Sequence, residues 1–111
     1  MTVAALLASR PTRGTIVIIG YVAKVYHCPP CPTDAQCKPC MGDNLVLSDT
    51  PHRLESYADM NADEVIVFGE QTALDALALG SRYQVEVEVT ARRFASQPVP
   101  DLRLLSASSA L

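Results

Sequence analysis

With 49% apolar and 19% charged residues over 111 positions, the protein has enough apolar material to bury one modest core but not two, and its composition is well away from that of disordered sequences. The net charge of -3 and arginines scattered from Arg10 to Arg103 leave no basic footprint, so strong binding of duplex nucleic acid is not expected. No apolar run nears the roughly 20 residues that span a bilayer, and the Val3 to Ala8 run is too short for a signal-peptide core.

Residues 1–14 end in Arg-Pro-Thr-Arg-Gly, a turn-prone stretch whose Pro11 stops any helix from the Ala/Leu segment before it. They read as a flexible leader with at most one helical turn. Thr15 to His27 is rich in β-branched and aromatic residues and forms the first strand, with Gly20 placed for a bulge or bend. Asn44 to Asp49 resumes strand character after Gly42-Asp43. For residues 50–61 two readings stand: a short helix capped by Thr50 and begun by Pro51, or an irregular loop. Glu64 to Gly69 is a third strand, and Thr72 to Gly80 a helix capped by Thr72 and closed by Gly80. From Arg82 to Thr90 apolar Tyr83, Val85, Val87 and Val89 alternate with polar residues, the period of a half-buried strand. Gln97 to Asp101 makes a turn and Leu102 to Leu105 a short last strand. The domain runs over 15–107, and 108–111 is a frayed tail.

The fold class is therefore mainly β, five strands with one short helix between the third and fourth. In the order of these elements, I16-V-I-I-G-Y-V-A-K-V, L45-V-L-S-D and V65-I-V-F-G-E through V89, the sequence resembles the OB-fold, the oligonucleotide/oligosaccharide-binding barrel. That resemblance implies a small five-stranded barrel. It also implies a ligand face on the second and third strands, flanked by the β1–β2 and β4–β5 loops. Aromatic residues are only 5% of the total, which gives few platforms for stacking bases.

The β1–β2 loop carries every cysteine: Cys28, Cys31, Cys37 and Cys40, in C-P-P-C-P-T-D-A-Q-C-K-P-C. One chemistry for this pattern is a four-thiolate zinc site. Against it, Pro29, Pro30 and Pro39 remove backbone donors that would support the sulfurs, and the spacer between the C-x-x-C pairs is short for two ligand pairs. A second is two disulfides of unassigned pairing. Apart from its prolines the loop has no apolar residue larger than Ala35, so burial cannot hold it together, and cross-links would imply a secreted or periplasmic protein. A third is a dithiol-disulfide oxidoreductase using Cys28-Pro29-Pro30-Cys31, a site that needs its first cysteine at a helix N-terminus.

Asp59, Asn61, Asp63 and Glu70 have the carboxylate spacing of a calcium loop, but Glu64 stands where that loop needs glycine. No catalytic set stands out. His27 and His52 lack the context of a base, and Glu86 and Glu88 share the solvated face of a strand. The sequence leads to a non-enzymatic, exported binding domain with a disulfide-stapled Cys/Pro loop, its partner an unidentified protein, glycan or envelope component and its cofactor set empty. The alternative is an intracellular OB domain with a zinc loop that binds single-stranded nucleic acid.

Overall fold

In the computed structural model, residues 1–31, 42–90 and 101–110 are described. Among these residues, five strands hydrogen-bond in the closed order β1-β2-β3-β5-β4: β1 (Gly14–Tyr26), β2 (Asn44–Ser48), β3 (Glu64–Phe68), β4 (Arg82–Val89) and β5 (Leu102–Ser109). The long β1 makes closure achievable. Its first half pairs antiparallel with β4, from Gly14 opposite Val89 to Tyr21 opposite Arg82, and its second half pairs with β2. β3 meets β5 in parallel at Phe68 and Arg103, which completes the circuit into a closed barrel.

Alternation decides what the barrel encloses. Ile18, Val22, Leu45, Leu47, Val65, Val67, Val85, Val87, Val89 and Leu102 point inward and are buried, while Gln84, Glu86 and Glu88 of β4 face water. The strain of turning β1 from one partner to the other is taken up by a bulge at Ala23, between Val22 and Lys24. Gly20, the residue expected to bend the strand, is not that bulge. Its role is a close approach: a Cβ there would lie 3.0 Å from the Ser48 carbonyl oxygen.

Among the described residues, three helical pieces accompany the sheet: α1 (Val3–Ser9), α2 (Gln71–Asp75) and a 3-10 turn, Tyr57–Asp59, between β2 and β3. The segment expected to be a flexible leader is α1. Val3 and Leu6, three apart and so on one face, are fully buried in the core, each contributing roughly 1.5–3 kcal/mol by leaving water. The helix is anchored at its start. Thr2 Oγ1 accepts from the Ala5 amide at 3.1 Å, and the Asp49 carboxylate accepts from Val3 and Ala4 at 2.7 and 2.9 Å. Arg10, in the left-handed region with φ 46°, ends it.

The helix expected over Thr72 to Gly80 is shorter and starts earlier. Glu70 occupies the N-cap position without a side-chain bond, and the helix ends at Asp75. Leu74 anchors it in the core, and Gly80, at φ 83°, turns the chain back so that its amide donates to the Val22 carbonyl at 2.8 Å. Of the two readings for residues 50–61, the irregular loop is the one found, with its 3-10 turn capped by Ser56. At the other end of the protein, β5 extends past Leu105 to Ser109, in register with Tyr83, where the sequence predicts fraying. Backbone pairing to β4 holds these small, exposed residues in place of side-chain burial.

Candidate functional site

The sequence directs attention to two regions: the root of the cysteine loop and the outward face of β2 and β3. The root is built by the ends of β1 and β2. Asp43 Oδ1 accepts from the Cys28 amide at 2.7 Å, and the Asp43 carbonyl accepts from Gly69 at 3.2 Å, which ties the loop to the end of β3. His27 stands between two carboxylates. Its Nε2 lies 2.7 Å from Asp75 Oδ1 on α2, and its Nδ1 lies 3.6 Å from Asp43 Oδ2. Only the Asp75 contact is a hydrogen bond; Nδ1 is buried without a hydrogen-bond partner, so Asp43 acts on the ring through charge alone. No sequence signal marks this grouping, because Asp75 is far from His27 in sequence and is delivered by the turn of α2.

Cys28 is half-buried and Cys31 exposed at the tip side of this root. Both are disulfide-bonded, and no cysteine among the described residues is free. Cys37 and Cys40 lie outside the described residues, as do Arg92, Arg93 and the turn from Gln97 to Pro100. Residues 27–31 are not helical. The helix N-terminus that a redox-active first cysteine requires is therefore lacking at Cys28.

The outward face of β2 and β3 is sealed by the protein itself. Asn44, Val46 and Ser48 lie across from Phe68, Ile66 and Glu64 on that face, and all but the half-buried Phe68 are buried. Above them pass residues 49–63, whose Leu54, Tyr57 and Met60 pack with Ala23, Val46 and Ile66 into a second, smaller core. Each polar side chain of the face is taken by a partner from this strap. Asn44 Oδ1 accepts from the Tyr57 hydroxyl at 2.5 Å, and Ser48 Oγ accepts from the Thr50 amide at 3.2 Å. Glu64 Oε2 lies 2.8 Å from His52 Nδ1, while its Oε1 accepts from the Asn61 amide. The Leu54 amide adds a main-chain bond to the Ala23 carbonyl at 2.9 Å, exploiting the acceptor that the bulge turns outward.

Tyr57 is the strap's central residue. Its ring stands edge-on to Tyr26 with centroids 6.2 Å apart, and Lys24 Nζ sits 5.6 Å from its centroid. Burial pushes its phenol above the ordinary value of 10.0, partly opposed by the hydrogen bond to Asn44. The stretch with calcium-like carboxylate spacing leads into β3. Glu64 opens β3 and spends its carboxylate on His52 and Asn61, so the stretch from Asp59 to Glu70 runs into a strand instead of wrapping a cation. Among the described residues, no cluster of three or more His, Cys, Asp or Glu side chains is arranged to hold a metal.

No family model matches this sequence, and no curated protein or solved structure matches it significantly. No described helix is long and apolar enough to cross a membrane. The strand face that the OB resemblance implies for a ligand is filled by Leu54, Tyr57 and Met60, whereas the loop at the end of β1 is rooted and cross-linked at its first two cysteines.

Proposed function

We propose that this protein is a non-enzymatic, exported binding domain of OB-like architecture whose contact surface is the Cys28–Cys40 loop. The OB-like reading is supported by the long first strand shared between β2 and β4, the closed strand order, and α2 between β3 and β4. The observation that carries the functional reading is the state of the loop. Cys28 and Cys31 are disulfide-bonded, and the Cys28 amide and His27 are fixed to Asp43 and Asp75. A loop tied down at its root and cross-linked at Cys28 and Cys31 has less ordering entropy to lose on meeting a partner, which favours recognition. Such bridges persist in an oxidising compartment, which supports an exported location. The partner is a protein, glycan or other envelope component that meets the loop.

Intact-mass measurement of the untreated protein tests this. With all four cysteines paired in two bridges, the protein is lighter by four hydrogens than its reduced form. Four free thiols would overturn the reading, and four thiols with one zinc per molecule would favour the intracellular, single-strand-binding alternative.

A further inference from the structure

A cleft lies where the strap meets the barrel, and none of its lining residues belongs to the cysteine loop. A cleft of about 310 Å³ opens between the β1 bulge at Ala23 and Lys24, the strap at Arg53, Leu54 and Glu55, and Leu79 of the turn before β4. Its chemistry is unlike that of the molecule as a whole. On a protein of net charge -3, two cations and one carboxylate border this cleft, so that it carries one net positive charge. Lys24 is already engaged: its Nζ donates to the Glu55 carbonyl at 3.3 Å and lies over the Tyr57 ring. The exposed guanidinium of Arg53 makes no hydrogen bond or ion pair among the described residues. Beside it, Leu79 keeps 47% of its surface in water, an apolar wall facing a charged one.

We infer that this cleft binds a carboxylate carried on a short aliphatic body, the acid held by Arg53 and Lys24 and the aliphatic part laid against Leu79. The planar fork of arginine matches the two oxygens of a carboxylate, which a lone ammonium does not. One net positive charge suits a monoanion better than a doubly charged phosphate, which Glu55 would repel more strongly. A cleft of this volume is at the small end of ligand sites. Because Lys24 belongs to β1 and Arg53 to the strap, the bound acid bridges the two and holds the strap closed, so binding and strap closure are thermodynamically linked.

Amide-resolved NMR titration of the intact protein tests the site. The probes are 4-methylpentanoate, N-acetyl-glycyl-leucine, the amides of both, and inorganic phosphate. The carboxylates are expected to move the amide signals of Lys24, Arg53 and Leu79, and the neutral amides to leave them in place. Binding by both acids assigns the site to small aliphatic acids, and binding by the peptide alone assigns it to the free carboxylate that ends a polypeptide; both outcomes support the inference. Arg53→Gln weakens binding roughly tenfold, the loss of one charge-assisted contact. Glu55→Gln tightens it about two- to fivefold, and Arg13→Gln, away from the cleft, changes nothing. Unchanged unfolding midpoints show that each variant is folded. Equal binding of the amides, tighter binding of phosphate, weakening by Glu55→Gln, or no response to either acid at tens of millimolar would overturn the inference.

Discussion

Tyr57 is the residue on which the strap turns, and its ionisation gives a pH test. The phenol is raised above 10.0 in the folded protein and returns to its ordinary value on unfolding. Between those two values the folded state holds a proton that the unfolded state has released, so stability is full below about pH 10 and declines as pH rises through the folded value. Tyr57 is expected to ionise late, above its ordinary value, when tyrosinate absorbance is followed. In Tyr57→Phe that late step is absent. A substitution on the partner acts differently: Asn44→Leu removes the acceptor of the half-buried Tyr57 hydroxyl and is expected to cost about 1 kcal/mol in urea unfolding. Asp43 is the corresponding residue at the loop root. Asp43→Ala strips the Cys28 amide of its acceptor and His27 of one flanking carboxylate. Hydrogen exchange at Cys28 is then expected to accelerate, while exchange in β4 stays unchanged.

At the scale of elements, α1 shows how a segment with turn-rich flanks becomes part of the core. Thr2 and the i, i+3 pair Val3 and Leu6 are a readable signal, but a seven-residue helix is too short to persist on its own. It forms because the barrel leaves space for Val3 and Leu6 and because Asp49, from the end of β2, accepts its first amides. Leu6→Ala is expected to cost about 2–5 kcal/mol, as for a buried leucine elsewhere, and Asp49→Ala about 1 kcal/mol. Denaturant unfolding of both variants would show it; a loss below about 0.5 kcal/mol for Leu6→Ala would mean that α1 is not docked in solution. Gly20 makes a related point on β1. Gly20→Ala brings a Cβ to 3.0 Å from the Ser48 carbonyl oxygen and is expected to destabilise by about 1–3 kcal/mol through overpacking.

At the scale of the whole molecule, the described core lies inside the barrel and under the strap. Among the described residues, the buried apolar ones belong to the barrel, α1, α2 and the strap, and none to residues 28–31. Reducing the bridges is expected to lower stability by at most about 2–3 kcal/mol, given the short segments that they close, and to leave the far-ultraviolet circular dichroism unchanged. Collapse of the β signal on reduction would show that the loop, and not the core, holds the fold.

The five strands are legible in the sequence because each is a local pattern. β4 alternates with period two, and β1 is a long run of β-branched residues, so backbone preference and burial point the same way. The concentration of all four cysteines between positions 28 and 40 likewise marks the loop without any structure. Tertiary structure alone decided which outward faces meet water. By alternation Asn44, Ser48 and Glu64 belong on the solvated side of their strands, yet all three are buried under residues 49–63. Their partners Tyr57, Thr50 and His52 come from an irregular strap whose path has no periodicity to read. It is fixed by packing of Leu54 and Tyr57 on Val46 and Ile66 and by hydrogen bonds that form only once the strap is down. The same holds for His27, Asp43 and Asp75 and for the cleft between Lys24 and Arg53, whose members are distant in sequence. Their meeting depends on barrel closure, a long-range event that no local window of sequence contains.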